Sequence, residues 1–428
     1  MGVGGMIGGG IFSVLGMAVK ISGHAAPLAF LIGSFVALAA GYSYVKLALG
    51  FQSDGASFTY LDRAFSAYPN VAGIAGWTVI VGYIGTLALY AYTFGVYGSH
   101  LVGFAGSTII RMLLSIGVLL FFLLINIKGV QSSGKTEVII VFTKVLLLGL
   151  FALAGTFSIQ QDHLFPVFEQ GVSSVFIAGA MIFVAFEGFQ LITNAVLESQ
   201  KPDTNIPRGI YGSILITSFI YFGVAIVAVG NLTPDQIEAA KEYTMSVAAR
   251  PALGHAGTVL VDLAALLATS SAVNATIFGA SRMMADMAQE RRMPEIFAQR
   301  THARIPWVAI VFMSLLAGGF TLLGSLETIT LFSSLTFLLV SIAVSAANFK
   351  LRDTTHSNLW LILLGIGLML STVILLVIHL WSKDGARFYW LLGFFATIAI
   401  LEVFFCWYRC RNDEEFQQKH QKKHINRS

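Results

Sequence analysis

Three observations predict an all-α polytopic membrane protein. Hydrophobic residues fill 56% of the 428 positions and charged residues only 11%, where a soluble chain carries about 25% charged residues. The mean hydropathy is +0.78. The apolar runs are also long: LWLILLGIGLMLSTVILLVIHLW, residues 359–381, holds 23 positions without an acidic or basic side chain other than a histidine. A membrane helix needs about 20 such residues, whereas a barrel strand shows about ten in alternation. Finally, Lys and Arg fall unevenly between alternate loops, as they do in polytopic chains.

Counting charge-poor segments gives about twelve spans, near 3–19, 26–49, 72–98, 108–127, 136–158, 172–196, 207–229, 255–285, 306–323, 328–348, 358–381 and 388–408. The eighth exceeds what one crossing needs and is expected to tilt or to continue past the bilayer. The largest polar insert is 230–254, in which TPDQIEAAKEY has the form of a surface helix with Thr233 as its cap and Pro234 at its first position. The tail, 409–428, is charged and suits an anionic surface. Cys406 and Cys410 close the last apolar segment and give neither a disulfide framework nor a metal site. No nucleophile–base or metal-ligand spacing appears, so the sequence predicts no enzyme, no cofactor, no metal and no nucleic-acid partner.

With the N-terminus placed in the cytoplasm, nineteen Lys and Arg fall inside and six outside. That bias predicts a cell-membrane protein with both termini cytoplasmic. One of the 26 basic residues belongs to neither side: Lys144, in EVIIVFTKVLLLGLFALAG. It lies about 12 Å into the fifth span, where insertion costs about 2.5–3.5 kcal/mol unless the ammonium faces protein or water. It is either a lysine snorkelling to the near interface or a functional ion site.

The chain opens MGVGGMIGGGIF, with six glycines in its first ten residues. Each costs about 1 kcal/mol relative to alanine inside a helix. There is no lysine for a phosphate loop, no preceding strand for a dinucleotide fold, and no positive segment for a signal peptide. A broken membrane helix fits: unwinding at Gly8, Gly9 and Gly10 exposes N–H groups that attract a carboxylate and carbonyls that hold an ammonium. Close packing against a neighbouring helix is the competing explanation. A second glycine break is expected mid-span in GAMIFVAFEGFQLITNAVLE, around Phe186, Glu187 and Gly188. The positions of the two breaks suggest inverted repeats of five spans, 1–158 and 172–348, followed by two further spans at 358–408. Glu187, at mid-membrane depth, is a proton-sensitive gate or an uncharged helix-interior carboxyl. Phe183, Phe186 and Phe189 are placed to shield a ligand.

Four blocks, in order, carry a resemblance. MIGGGIF places Ile7, Gly8, Gly10, Ile11 and Phe12 on an Ile-Gly-x-Gly-Ile-Phe pattern. GASFTYLDRAF (55–65), FVAFEGFQLITNAVLESQKPDTNIPRGI (183–210) and SRMMADMAQERRMP (281–294) follow. Over almost its whole length the chain resembles the amino acid–polyamine–organocation superfamily of secondary transporters, with the LeuT-type fold and discontinuous helices 1 and 6. The resemblance implies a substrate amino acid between those helices. Its carboxylate would meet N–H groups of Gly8, Gly9 and Gly10, and its amine the carbonyls near Met6, Ile7 and Phe183 to Phe186. Glu187 and Gly188 would lie beside it, Phe186 and Glu187 would gate it, and Ile84, Leu87 and Phe332 would form the side-chain wall.

Sodium-coupled relatives hold a cation between helices 1 and 8, whereas proton-coupled ones can carry a lysine on helix 5. Lys144 falls there, beside the hydroxyls of Thr269, Ser270 and Ser271 on span 8. A buried ammonium can replace the ion's charge against helix 1 carbonyls, which disfavours sodium. Family members carry more residues before the glycine break; here seven precede Gly8, about 10 Å of helix, so either the native start is longer or the inner half-helix is a stub. The expected function is proton-coupled symport of an amino acid, more readily a neutral one, by alternating access. An amino acid/amine exchanger or polyamine carrier, and a non-transporting nutrient receptor or structural subunit, are the alternatives.

Overall fold

In hydrocarbon a backbone must bond to itself, and each long apolar run here does so as a helix. The computed structural model describes residues 2–52, 56–66, 69–129 and 134–412. Most of the charged tail, and the side chains of Cys406 and Cys410, lie outside the described residues. The helices are α1 (Gly2–Met6), α2 (Gly10–Ser22), α3 (Ala26–Phe51), α4 (Ala56–Ala64), α5 (Pro69–Leu101) and α6 (Thr108–Ile127). Then come α7 (Gly134–Thr156), α8 (Val172–Met181), α9 (Pro202–Asn231), α10 (Pro234–Ala240), α11 (Thr244–Ala248) and α12 (Arg250–Gln289). The last are α13 (Trp307–Leu323), α14 (Leu326–Lys350), α15 (Arg352–Thr355), α16 (Leu359–Lys383) and α17 (Gly385–Asn412).

Their ends follow local chemistry. Gly23, at φ 56°, stops α2 and turns the chain into α3, which has proline in its first turn. Ser107, Ser325 and Asn358 cap α6, α14 and α16 with side-chain oxygens. Thr233 and Gln236 form the capping box of α10, with Pro234 at its start, as the sequence predicts for this insert.

Ten helical stretches among the described residues are long and apolar enough to cross a bilayer, against the twelve spans expected. The difference has two local causes. The first two expected spans form one apolar stretch, Gly10–Phe51, bent at Gly23, and α13 falls just short at 17 residues. A second correction concerns span 6. No unwound segment interrupts it at Phe186–Gly188; instead α8 passes at Met181 directly into a 3-10 helix, Ile182–Ala195.

Burial divides the helices into an inner and an outer set. The apolar window of α5 is 89% buried and that of α14 78%, against 22% for α6 and α7, 28% for α16 and 11% for α17. The outer set turns Ile109, Leu113, Leu120, Phe121 and Leu124 of α6 outward, as lipid-facing helices do. α5 is the central post, packed against α6, α12, α13 and α14, while α3 packs on α8, α9 and the 3-10 stretch. α1 lies against that same stretch, so the two elements expected to carry the site meet in the interior.

Candidate functional site

The first helix breaks at Ile7–Gly9, between α1 and α2. Ile7 N–H still reaches Val3 O at 2.8 Å, but Gly8 and Gly9 N–H find no acceptor among the described residues. The hydroxyl of Ser13 donates to Gly9 O at 2.6 Å and lies 3.0 Å from Gly10 O, so those two carbonyls are engaged while the N–H groups are not. A run of open N–H groups at the start of a helix favours an anionic group.

Span 6 explains why glycine is needed there. Residues three apart eclipse in a 3-10 helix, which sorts its side chains onto three faces. Ala185 and Gly188 face helix 1: a Cβ on Gly10 would sit 2.9 Å from Ala185 Cα, and one on Gly188 would strike the backbone of Gly5 and Met6. Phe183, Phe186 and Phe189 share a second face. There Phe186 packs its ring 5.3 Å from that of Tyr221 and against Gly33, and Phe189 lies 5.4 Å from Tyr44. Val184 and Glu187 share the third, toward α5 and α14. The hydroxyl of Ser334 accepts from Val184 N–H at 3.1 Å and donates to Met181 O at 2.6 Å, satisfying backbone where the helix type changes. Thr86 donates to Glu187 Oε2 at 3.2 Å. Close packing and an open backbone, opposed in the sequence reading, thus coexist along one glycine run.

Lys144 is buried, and its Nζ donates to Ile7 O at 3.2 Å, to Gly4 O at 3.5 Å and to Ala268 O at 3.5 Å. One ammonium therefore joins the break in helix 1 to α12. The Thr269 hydroxyl turns back on its own helix, 2.7 Å from Ala265 O, with its methyl near Gly9. Ser270 instead lines a groove with Phe94, Leu113 and Phe121, at the α5–α6–α12 surface. Ser271 is half-buried, and among the described residues the hydrogen bonds of the Lys144 ammonium go to Gly4, Ile7 and Ala268 rather than to it.

Ile84 and Leu87 are buried on α5. Phe332 is buried on α14, its ring set against Gly85 of α5 and clustered with Phe320, Phe394 and Phe395, ring centroids 5.1, 5.0 and 5.9 Å away.

Several participants escaped sequence reasoning. Tyr221 on α9 donates to Met6 O at 2.6 Å and lies 3.2 Å from Ala185 O, bridging carbonyls of both broken elements. The ring of Tyr90 is set against Gly8 and Gly9. Above α2 the insert is pinned down by buried polar contacts. His100 Nδ1 meets Asp262 at 2.7 Å, Ser246 donates to Asp262, and Tyr92 donates to Glu242 at 2.7 Å. The His100 ring stacks on Tyr243 at 4.5 Å. On the opposite face Asp62 of α4 pairs with Arg292, beyond α12. Among the described residues no three His, Cys, Asp or Glu side chains gather as a metal site would require.

Residues 1–405 match the amino acid permease family. An uncharacterized protein of Methanocaldococcus jannaschii is 32% identical over 406 residues, covering 95% of this chain and 93% of its own. The inner membrane transport protein YbaT of Escherichia coli is 29% identical over 400 residues, 92% of this chain and 91% of its own. The branched-chain amino acid permease BcaP of Bacillus subtilis is 25% identical over 376 residues, 82% and 80% of the two chains.

Proposed function

Since the chain belongs to the amino acid permease family, and is a multi-pass membrane transporter rather than an enzyme, we propose that it carries an amino acid in symport with a proton. The observation that carries the reading is the position of Lys144, whose ammonium binds Gly4 and Ile7 of the broken helix and Ala268 of α12 at once. An ammonium has three protons to donate and three carbonyls here to receive them. Loss of one proton weakens the tie between helix 1 and α12, so protonation and the packing of the two elements are linked. The open N–H groups of Gly8 and Gly9, with Gly10 next to them, suit the substrate carboxylate, and Phe186 with Glu187 closes the site on the span 6 side.

The fuller reading has twelve spans, as two inverted five-span repeats plus α16 and α17, with both termini cytoplasmic. The substrate is an amino acid, as the name of BcaP states for that relative. Uptake into proteoliposomes under an imposed pH gradient tests the reading. Accumulation that follows the proton gradient without sodium supports it; accumulation that follows sodium and ignores pH defeats it.

A further inference from the structure

Buried hydroxyls in this protein generally turn back on their own helix. Thr93, Ser115, Thr269 and Thr336 each donate to the carbonyl one turn earlier at 2.7–2.8 Å. Several hydroxyls depart from the habit, two of them close together on α14. The hydroxyls of Thr330 and Ser333 are fully buried yet have no hydrogen-bond partner among the described residues. They lie one turn apart on one face of the helix. An unmade hydrogen bond in such a place calls for a partner.

Their surroundings say where that partner would sit. Across from Ser333 stands Gly85 of α5, where a Cβ would come within 2.6 Å of the Ser333 hydroxyl. Only glycine makes room there for that hydroxyl and for the ring of Phe332 beside it. The next residue, Thr86, holds Glu187 at 3.2 Å, and Ser334, beside Ser333, holds Val184. Val184 and Glu187 flank Ala185, which packs on Gly10 at the helix 1 break. Ser333, Thr86 and Glu187 thus stand on adjoining stretches of α14, α5 and span 6, and Glu187 is a single residue along span 6 from the Gly188 that packs on helix 1.

We propose that this patch, formed by α5, α14 and span 6, receives the substrate's side chain and selects one bearing a hydroxyl. The inference rests on the reading of the helix 1 and span 6 contact as the amino acid site. A hydroxyl carries both a donor and an acceptor, and so does Ser333. Glu187 supplies a further acceptor. A cationic side chain fits less well: the one carboxyl already accepts from Thr86, and the Lys144 ammonium is bound at Gly4 and Ile7, on either side of the Gly5 that packs on Gly188. A branched apolar side chain would leave Ser333 and Thr330 unpaired.

Threonine and valine share a shape and differ by this hydroxyl, so the test is their ratio of transport efficiency in proteoliposomes of the purified full chain, with lysine alongside. Threonine is expected to exceed valine by at least about 100-fold, and Ser333→Ala to reduce that ratio about tenfold, with Ser333→Thr restoring it. Equal use of threonine and valine, or preference for valine or lysine, overturns the inference while leaving amino acid transport intact. Failure to carry any amino acid overturns the reading beneath it, and the inference with it. Should Ser333→Ala abolish all uptake, the wild-type ratio decides alone.

Discussion

The hydroxyl of Tyr221 bonds to the carbonyl of Met6 at 2.6 Å and stands 3.2 Å from that of Ala185, so one side chain of α9 holds both elements of the site. A single hydroxyl proton serves two acceptors. Removing it strands carbonyls in a dry interior. Tyr221→Phe is expected to lower stability by about 1–3 kcal/mol, seen as a lower Tm in detergent. An unchanged Tm means that the bridge carries no net stability.

The contact of Gly188 with Gly5 admits no side chain. Gly188→Ala places a methyl into the backbone of Gly5 and Met6, and an overpacked interior of this kind costs about 1–3 kcal/mol or more. We expect reduced yield of folded protein and loss of uptake. Gly117→Ala on α6 is the contrast: nothing lies within 4 Å of that position, and alanine there gains up to about 1 kcal/mol of helix propensity. Equal Tm values for the two variants would show that the close approach is not constraining.

Lys144→Ala removes the ammonium from the Gly4, Ile7 and Ala268 carbonyls. Accumulation driven by a pH gradient is expected to vanish, while substrate counterflow, which needs no net proton movement, persists in part. Substrate-driven proton flux equal to the wild type would assign coupling to another group.

Asp262 holds the insert down through His100 and Ser246. Asp262→Asn exchanges a charge-assisted acceptor for an amide, and hydrogen bonds to charged groups contribute about 1.5–3 kcal/mol. Faster hydrogen exchange across 241–248 is the expected outcome, with α14 unaffected. Uniform acceleration over the whole chain would point to global loosening instead.

Much of the fold could be read from the sequence because lipid imposes a simple rule: no charge for about 20 residues. The same rule exposed Lys144, a charge where none is tolerated without a partner. The glycine run and the cap at Thr233 were visible because glycine and threonine have few other reasons to stand where they do. Tyr221 was not visible, since nothing in its spacing separates it from the other tyrosines. The second set of neighbours of Phe332 was hidden for a similar reason: a ring on a buried helix carries no mark of all it touches, and besides Gly85 of α5 it meets Phe394 and Phe395 of α17. The helix type of span 6 did leave a trace, in Phe183, Phe186 and Phe189 spaced by threes. That period matches three residues per turn rather than 3.6, and it went unread beside the glycine next to it.

The 3-10 stretch also fixes a length. Its 14 residues rise about 28 Å at 2.0 Å each, whereas the same residues wound as an α-helix would rise about 21 Å. A change of winding alone would therefore alter its length by about 7 Å along its own axis. It would rotate Ala185 and Gly188 off helix 1 as it shortened. The winding of span 6 is thus what sets Ala185 and Gly188, and neither of its other two faces, against helix 1.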